Sequence, residues 1–540
     1  MRLDYEGIKD VQEWLEKGYS LPEFDIEKVR EETHRCPEWI HFGAGNIFRA
    51  FQANRIQDML NKGLTAKGLI VVEGFDYEII EKMNKPHDNL SILITLKGDG
   101  NIEKNVVASV TEGYVLDRAA EADFARLKEI FASPSLQMAS FTITEKGYQL
   151  VGSNGEYLNS VIADFENGPE KAESYMGKVA ALLYHRSKVA DAKLAMVSMD
   201  NCSHNGEKLY SAIHEFAVKW RDNGFVDDDF VNKVEDEKVF SFPFTMIDKI
   251  TPRPDESIRQ ILVKDGVEDT EPVITTKNTY IAPFVNSEEC EYLVIEDLFP
   301  NGRAKYEEAG FIFTDRETVE KVERMKVCTC LNPLHTALAI YGCLLGYTKI
   351  SEEMKDEQLV QLVKRIGYVE GLPVVDDPGV LKPQEFIDAV VNMRIPNPYM
   401  PDTPHRIATD TSQKLSIRFG ETVKRYIASE AHELSELKMI PLVFAGWIRY
   451  LMAIDDNGCE FELSPDPMLD SLKPLVKDIN LGEKVTEDDL INILTNETIF
   501  GVNLKEAGLS AMVTDYFNQL NEGTGAVRRT LMREVSNEKG

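Results

Sequence analysis

Residues 38–49 read E-W-I-H-F-G-A-G-N-I-F-R. A short apolar run, two closely spaced glycines and a helical apolar pattern predict a buried strand, a tight turn and a helix. Such a turn brings backbone N–H groups close to a pyrophosphate, and the helix N-terminus adds the positive end of its dipole. The predicted cofactor contacts in this turn are Gly43, Ala44, Gly45, Asn46 and Ile47. Phe48 replaces the third glycine of the usual fingerprint, so a plain strand-to-helix turn is the alternative.

The next predicted strand, 68–73, ends in Glu73. A carboxylate there could accept hydrogen bonds from the adenosine ribose and would repel a 2′-phosphate, which favours NAD over NADP. Asp76 is a rival for this role. Glu73 could also be an ordinary solvated carboxylate at a strand end.

The rest of the first half alternates short apolar runs with amphipathic stretches, which predicts a parallel sheet with crossover helices. Further strands are predicted at 38–43, 137–143, 193–199 and 239–247, and helices near 46–62, 119–132, 171–187 and 206–222. Residues 90–97 and 105–115, joined by G-D-G-N, predict an inserted β-hairpin, and 273–297 is a further β-rich piece.

Helical periodicity dominates after about residue 300. The sequence therefore predicts an α/β protein with a Rossmann-like, doubly wound sheet domain at 1–300, including a polar lead-in, and a mostly α-helical substrate domain at 301–540. A site in the cleft between two such domains is the default expectation.

The bulk composition excludes several classes of protein. A formal net charge of −31 argues against nucleic-acid and anionic-membrane partners, and means that an anionic ligand needs a local basic pocket. No secretory signal or long apolar run is evident, so the sequence predicts a cytoplasmic protein. The seven scattered cysteines fit a reducing compartment: Cys36, Cys202, Cys290, Cys328, Cys330, Cys343 and Cys459.

Residues 326–335, K-V-C-T-C-L-N-P-L-H, place an amine, a carboxamide and an imidazole close together. A lysine can move a proton, an amide can stabilise an oxyanion and an imidazole can bind a hydroxyl, all without a metal. Zinc binding by Cys328, Cys330 and His335 is the weaker alternative, because the spacing is unusual and a fourth ligand is missing. We therefore expect no metal site.

Seven segments in order resemble the long-chain mannitol dehydrogenase family, which includes hexuronate reductases. They are 43–49 (G-A-G-N-I-F-R), 142–148 (T-I-T-E-K-G-Y), 199–206 (M-D-N-C-S-H-N-G), 247–252 (I-D-K-I-T-P), 326–335, 410–418 (D-T-S-Q-K-L-S-I-R) and 446–451 (G-W-I-R-Y-L). The resemblance implies a metal-independent, NAD-linked oxidoreductase. The implied reaction is reduction of a keto-hexuronate, D-fructuronate to D-mannonate, with D-tagaturonate reduction or mannitol 2-dehydrogenation as alternatives.

The resemblance also implies roles for individual residues. Lys326 would be the general acid and base, with Asn201 and Asn332 as oxyanion donors and His335 as a substrate contact. Asp200 would contact the cofactor. Glu323, three residues before Lys326, is predicted as a proton relay, with a surface i,i+3 partner as the equal alternative.

This chain has five residues between Lys326 and Asn332, where the family usually has four. One extra residue would rotate a continuous helix by about 100° and turn Lys326 away from Asn332. Pro333 predicts a helix start there, with Asn332 as its N-cap, so the extra residue could be absorbed at the break or in a π-bulge.

A substrate carboxylate needs a cation, and the predicted contacts are Lys414, Arg418 and His405. The alternative is that Lys414 and Arg418, at i,i+4, lie on an exposed helix face. Two other classes of function stay open, an epimerase that keeps NAD bound and a non-catalytic sugar- or nucleotide-binding protein. The sequence allows a monomer or a small homo-oligomer.

Overall fold

The computed structural model describes residues 1–189 and 191–536. The chain divides into two compact units. Unit 1 contains residues 1–97 and 101–319, and unit 2 contains residues 98–100 and 320–540. The sequence placed this division at residue 300.

The strands are short and lie in unit 1. They are β1 Tyr19–Ser20, β2 Trp39–Phe42, β3 Leu69–Glu73, β4 Ser91–Leu96, β5 Ile102–Val107, β6 Val110–Val115, β7 Met138–Phe141, β8 Leu194–Ser198, β9 Phe240–Ser241, β10 Thr245–Asp248, β11 Val273–Ile274, β12 Tyr280–Ile281, β13 Phe284–Glu288, β14 Tyr292–Glu296 and β15 Ile312–Thr314.

The α-helices follow in chain order. They are α1 Val11–Glu16, α2 Ile26–Arg35, α3 Ala53–Asn61, α4 Glu121–Ala132, α5 Asn159–Asn167, α6 Tyr175–Ser187, α7 Asn205–Asp222, α8 Asp228–Glu235, α9 Glu256–Asp265, α10 Arg316–Met325, α11 Asn332–Leu345, α12 Ile350–Glu353, α13 Glu357–Lys364, α14 Pro383–Ala389, α15 Pro404–Ile407, α16 Glu421–Ala428, α17 Met439–Tyr450, α18 Leu469–Val476, α19 Ile491–Leu494, α20 Glu497–Phe500, α21 Ser510–Leu520 and α22 Ala526–Ser536.

Several helices contain a π-helical turn, in which one extra residue is accommodated without ending the helix. These turns are Phe48–Gln52, Ile80–Asn84, Lys326–Cys330, Arg365–Gly371, Val390–Arg394 and Ser416–Gly420.

A six-stranded parallel sheet organises unit 1, with strand order β6-β3-β2-β7-β8-β9. The chain order reverses between β2 and β7, and ligands of open α/β sheets bind at the carboxyl ends of the strands at such a point. The fold therefore confirms the predicted doubly wound sheet and places the Gly43 turn beside this crevice.

Both faces of this sheet are covered. In β2, Ile40 and Phe42 belong to one hydrophobic core and Trp39 belongs to a second. All four residues of β2 are buried, as expected for a central parallel strand. Phe48 is also buried and stacks on the His41 ring with centroids 4.2 Å apart, so it packs as its residue type predicts.

Two of the predicted strands are wrong in extent. The predicted strand 105–115 is two strands, because β5 pairs with β4 as the second half of the hairpin while β6 joins the six-stranded sheet. The predicted strand 239–247 is also two, β9 in the main sheet and β10 paired with β14. Pro243 lies between them, and proline supplies no N–H to continue a ladder.

Unit 2 is helical, as predicted. All twelve residues of α17 are buried, so this helix is the apolar centre of the unit. The helical stretch 316–345 is long and apolar enough to cross a membrane, but 72% of its most apolar window is buried, which is typical of a core helix. This stretch carries the segment with the predicted reactive groups.

Candidate functional site

The Gly43 turn follows β2 and opens toward a cavity. Gly43 has φ +112°, and a Cβ at this position would lie 2.2 Å from the Thr142 carbonyl oxygen, so only glycine fits. Gly45 differs, because a Cβ there would meet no atom within 4 Å. Gly45, Asn46 and Ile47 keep partial exposure, whereas Gly43 and Ala44 are buried.

The cavity has a volume of about 560 Å³ and lies at the carboxyl ends of the strands. Its lining includes Gly43, Gly45, Glu73, Asp76 and Thr144. The volume and the largely apolar wall with a few polar groups are typical of a small-molecule or cofactor site.

Glu73 is buried at the end of β3, and both of its oxygens already accept hydrogen bonds. Oε2 accepts the Ala44 N–H at 2.9 Å, and Oε1 accepts the N–H groups of Phe75 at 2.8 Å and Asp76 at 3.1 Å. Burial raises the pKa of Glu73 despite these three donors. Glu73 therefore fixes the two turns on either side of the cavity, and it is not the solvated carboxylate of the alternative interpretation.

Asp76 is the better placed acceptor. Its carboxylate is 2% exposed, and Oδ2 accepts the Thr275 hydroxyl at 2.6 Å. The other oxygen, Oδ1, is buried with no hydrogen-bond partner among the described residues. A buried carboxylate oxygen without a partner costs free energy unless a ligand supplies a donor. The free space beside Gly45 and the unpartnered oxygen of Asp76 are both features expected where a dinucleotide cofactor binds.

Asp200 follows β8 and positions the opposite rim. Its carboxylate accepts the N–H groups of Ile143 and Thr144 at 3.0 and 2.8 Å and the Tyr148 hydroxyl at 2.6 Å. Thr144 has φ +62°, an uncommon conformation for a branched residue, which these bonds hold in place. The structure gives Asp200 a loop-positioning role, while its predicted contact with a cofactor stays a prediction. Asn201 is the next residue and is exposed.

The segment directly after α10 shows how the chain accommodates the extra residue between Lys326 and Asn332. A π-helical turn spans Lys326–Cys330 and is closed by the Leu331 N–H, which donates to the Lys326 carbonyl at 3.1 Å. The Thr422 hydroxyl donates to the Cys328 carbonyl at 3.3 Å. A π-turn and a break at Leu331, with φ −129°, thus absorb the insertion together.

Asn332 was predicted as the N-cap of the next helix, and this prediction is wrong. The cap position is held by Leu331, and Asn332 is the first residue of α11, before Pro333. The Asn332 carboxamide makes no hydrogen bond among the described residues and keeps partial exposure. It is therefore available to a ligand.

Lys326 is 3% exposed, so its ammonium is enclosed by protein. Glu323, in the last turn of α10, is partly exposed and forms no ion pair among the described residues. The surface ion pair considered for Glu323 is thus not formed, while its relay role stays a prediction.

His335 lies one turn into α11, with 18% of its side chain exposed. Burial, followed by the charges of Arg418, Arg406 and Arg394, lowers the pKa of His335 to about 3. Its Nε2 lies 3.5 Å from the Asp402 carboxylate. The imidazole is therefore neutral at physiological pH, with one nitrogen to donate and one to accept.

Arg418 is connected to the start of α11. Its guanidinium donates to the Thr336 hydroxyl at 2.5 Å, and that hydroxyl donates to the Asn332 carbonyl at 2.8 Å. Burial lowers the pKa of Arg418 to about 10, so it remains charged. Arg418 is half-buried on a π-helical turn, so the alternative of an ordinary exposed helix face is wrong for this residue.

The other two predicted substrate residues differ from Arg418. Lys414 donates to the Thr409 carbonyl at 2.5 Å, and burial and the charge of Arg418 lower its pKa. His405 is exposed on α15, and its backbone carbonyl accepts the Ser464 hydroxyl. Binding of substrate by these two residues stays a prediction.

Three residues near His335 were not predicted from the sequence: Arg394, Arg406 and Asp402. Arg394 is buried on a π-helical turn, and Arg406 forms an ion pair with Asp402. The excess of acidic residues gave no sign of this local group of cations, and only the proximity of Arg406 to His405 in sequence could have suggested it.

The cysteines are free thiols, and burial raises the pKa values of Cys328 and Cys330 to about 12. In the part of the chain that the structure describes, no group of three or more His, Cys, Asp or Glu residues could hold a metal ion.

Comparison with known proteins identifies the family. The Rossmann-domain model of mannitol dehydrogenase matches residues 37–307, and the model of its C-terminal domain matches residues 318–521. The chain belongs to the mannitol dehydrogenase family. Its lead-in of about 36 residues lies outside both family models.

Two relatives in the family differ in their sequence identity to this chain. The D-mannonate oxidoreductase of Thermotoga maritima is 52% identical over 543 residues, covering 100% of both chains. The mannitol 2-dehydrogenase of Pyrenophora tritici-repentis is 29% identical over 80% of this chain and 72% of its own.

Two solved structures share the fold. The Pseudomonas fluorescens mannitol 2-dehydrogenase ternary complex with NAD and D-mannitol is 25% identical, with a TM-score of 0.68, and covers 99% of this chain and 100% of that one. A D-sorbitol dehydrogenase in substrate-free form has a TM-score of 0.77 at 24% identity, covering 94% and 97%.

Proposed function

We propose that this protein catalyses the NAD-dependent, reversible reduction of D-fructuronate to D-mannonate. The full-length similarity to a D-mannonate oxidoreductase supports this substrate pair. The structural observation that carries the proposal is the cation cluster of unit 2, which we define as Arg394, Arg406, Lys414 and Arg418.

This cluster is unexpected in a chain with a formal net charge of −31. The charges of Arg418, Arg406 and Arg394 act on His335, and that of Arg418 also acts on Lys414. A planar guanidinium binds a carboxylate through two parallel hydrogen bonds, whereas a neutral polyol needs no such group. The cluster thus favours a sugar acid over mannitol.

Unit 1 would hold the cofactor at the Gly43 turn. The cavity, the open edge at Gly45 and the unpartnered Asp76 oxygen fit a dinucleotide. Glu73 and Asp76 place carboxyl groups near the expected position of the adenosine ribose. Negative charge there would repel the 2′-phosphate of NADP, which supports NAD as the cofactor. When bound as NADH, the cofactor supplies the hydride that reduces the keto carbon.

The residues of unit 2 supply the remaining chemistry. In the reduction direction, Lys326 gives a proton to the developing alkoxide, and in the oxidation direction it takes that proton back. The Asn332 carboxamide donates a hydrogen bond to the same oxygen, and we assign the second donor to Asn201 on the family resemblance. Neutral His335 binds a substrate hydroxyl, and Arg418 binds the carboxylate.

The test is NADH consumption with D-fructuronate, D-tagaturonate and D-fructose, in the wild type and in Lys326→Met. We expect turnover with D-fructuronate and a loss of kcat by about 10² to 10⁴ in the variant, the usual contribution of a general acid. Lys473→Met, which changes an exposed lysine of α18, is the matched control and retains full activity.

Each of the other outcomes would point to a different function. Turnover of D-fructose alone would reject the sugar-acid substrate and move the protein to the polyol branch. A cofactor that copurifies and is never consumed, while the uronate is epimerised, would reject the reductase. Full activity of Lys326→Met would remove Lys326 from the chemistry.

We further propose that the enzyme works in the cytoplasm on a free small-molecule substrate. The seven free cysteines and the acidic net charge support this. Sedimentation of the purified protein would decide between a monomer and a small homo-oligomer.

A further inference from the structure

Asn205 is a buried carboxamide that the proposed chemistry leaves unused. It is the first residue of α7 and is 1% exposed. Its Nδ2 lies within hydrogen-bond distance of three oxygens, the Asp200 carbonyl at 2.9 Å and the carbonyl and hydroxyl of Thr245 at 3.0 and 2.9 Å. Its Oδ1 accepts the Thr245 N–H at 3.0 Å. Asn205 therefore joins the loop after β8 to the start of β10.

Thr245 extends this connection to the end of β8. Its hydroxyl donates to the carbonyl of Ser198, the last residue of β8, at 2.7 Å. Because a hydroxyl has only one hydrogen to donate, the same oxygen acts as an acceptor toward Asn205. Asn205 and Thr245 together thus hold the carbonyl groups of both Ser198 and Asp200.

Asp200 is held through its backbone as well as through its side chain. Its carboxylate accepts hydrogen bonds from the 143–148 segment. Its carbonyl oxygen is 2.9 Å from Asn205 Nδ2 and 2.9 Å from the Cys202 backbone nitrogen, and both nitrogens donate to it. The residue that directly precedes Asn201 is therefore fixed on both sides of its own Cα.

Asn201 itself is exposed, so its position depends on the backbone that carries it. An amide stabilises an oxyanion only when its N–H group lies about 3 Å from the place where the charge develops. A misplacement of about 1 Å can lower the rate by about 10². The contacts of Asn205 are thus where the placement of the Asn201 carboxamide is decided.

We propose that Asn205 is a positioning residue for Asn201, and that it acts through Thr245 and the Asp200 carbonyl. Because Asn205 is buried, its effect on the reaction is transmitted through the backbone of the loop after β8. The inference rests on the proposed reduction, and on Asn201 as the second donor to the developing alkoxide.

A double-mutant cycle between Asn205 and Asn201 tests the inference. We expect Asn205→Ala to lower kcat by about 10- to 100-fold, with little change in KM for D-fructuronate or in NADH affinity. In the Asn201→Ala background the same substitution should cause no further loss of kcat, because the donor that Asn205 positions is already gone. A merely structural role would lower kcat by the same factor in both backgrounds.

Thr245→Val is a second variant that keeps the test open if Asn205→Ala does not fold. It removes the hydroxyl and retains both contacts of the Thr245 backbone with Asn205. It should lower kcat less than Asn205→Ala does, and again only when Asn201 is present.

Asn521→Ala is the matched control. Asn521 is 0% exposed, and its Nδ2 donates to the carbonyls of Asn480 and Glu483, both at 2.9 Å. Its replacement removes a comparable buried carboxamide in unit 2. It should lower the melting temperature as Asn205→Ala does and leave kcat unchanged.

The inference is overturned if folded Asn205→Ala or Thr245→Val keeps the wild-type kcat, or if the loss of kcat is equal with and without Asn201. Failure of the proposed substrate is a separate result. If the wild type reduces D-tagaturonate or D-fructose instead of D-fructuronate, the same cycle is run with that sugar, because an alkoxide forms on any reduced ketone. No NADH consumption with any of the three sugars would overturn both proposals.

Discussion

The two units build their candidate sites from different kinds of backbone. In unit 1, the groups that line the cavity lie where parallel strands end: Gly43 after β2, Glu73 at the end of β3 and Thr142 after β7. Asp200, after β8, holds the lining residues Ile143 and Thr144. In unit 2, Lys326, Arg394 and Arg418 each lie on a π-helical turn.

This difference teaches how each unit places a polar group. A parallel sheet brings the carboxyl ends of all its strands to one edge, so the position of a group follows from the topology. A helix distributes its side chains around its axis, and one inserted residue changes which face the next residues occupy. Unit 2 thus depends on local insertions, which are held by specific contacts such as that of Thr422 with the Cys328 carbonyl.

After Lys326→Met, the largest effect is expected from Asn332→Ala, which tests whether the π-turn delivers a catalytic amide. Loss of one oxyanion donor should lower kcat by about 10² to 10³ with little change in KM. The melting temperature should not change, because the carboxamide makes no hydrogen bond among the described residues. Steady-state kinetics and a thermal melt check both parts, and an unchanged kcat would mean that the π-turn turns Asn332 away from the reacting oxygen.

The contrast between the units also explains what the sequence can predict. The strand–turn–helix at residues 38–49 was predictable because its signals, an apolar run and two glycines, are local. The β5–β6 division was not, because both strands continue one alternating pattern and only their partners differ. The insertion before Asn332 was visible, but whether a break or a π-turn absorbs it depends on tertiary contacts.

Arg418 and Lys414 illustrate the same point within the substrate residues. The sequence placed both cations near the site, four residues apart, and favoured Lys414 over Arg418 as the partner of a substrate carboxylate. The structure separates them, because Arg418 contacts Thr336 of α11 while Lys414 donates to the nearby Thr409 carbonyl. The clustering of Arg394 and Arg406 near His335 joins residues from separate helices, and no local pattern encodes it.

A second prediction concerns Glu370, which lies on the π-helical turn Arg365–Gly371. Its carboxylate accepts the N–H groups of Lys438, Met439 and Ile440 at the start of α17, at 2.7, 2.5 and 2.9 Å. Burial raises the pKa of Glu370 from 4.5 to about 7.

Because the folded-state pKa lies above the unfolded-state value, this group stabilises the fold fully below pH 4.5, and its contribution is lost as the pH rises through 7. The unfolding free energy should therefore fall by up to about 3 kcal/mol across this window, and Glu370→Gln should remove that part of the dependence. Urea unfolding at pH 5 and pH 8 measures it.

Glu436→Gln is the matched control for Glu370. Its pKa is lowered by the Glu433 N–H, so its contribution is lost only as the pH falls through the lowered pKa. The control should show the wild-type change between pH 5 and pH 8. If the unfolding free energy of Glu370→Gln changes between pH 5 and pH 8 as much as that of the wild type, the Glu370 carboxyl at the start of α17 does not titrate in this range.

The third prediction compares the two glycines of the cofactor turn. Gly45→Ala should leave the melting temperature unchanged, because the new methyl group meets no protein atom within 4 Å. It should weaken NADH binding by about tenfold, since a methyl group forced into a close contact costs about 1–3 kcal/mol.

Gly43→Ala should show the opposite pattern, with a clear loss of stability. Its methyl group would lie 2.2 Å from the Thr142 carbonyl oxygen, and its φ of +112° disfavours any side chain. Calorimetric titration and thermal melts of both variants distinguish the two effects. If Gly45→Ala and the wild type bind NADH with equal affinity, the cofactor does not pass close to Gly45.

The smallest effect is expected at Thr336, which links Arg418 to the start of α11. Thr336→Val keeps the side-chain shape but removes the hydroxyl that accepts from Arg418 at 2.5 Å. Loss of one such bond costs about 1 kcal/mol, so KM for D-fructuronate should rise about fivefold, with kcat little changed. KM for D-fructose, which has no carboxylate, should stay the same, and Thr336→Ser should restore the wild-type value. An equal rise for both sugars would show that Thr336 supports the helix start instead of the carboxylate-binding arginine.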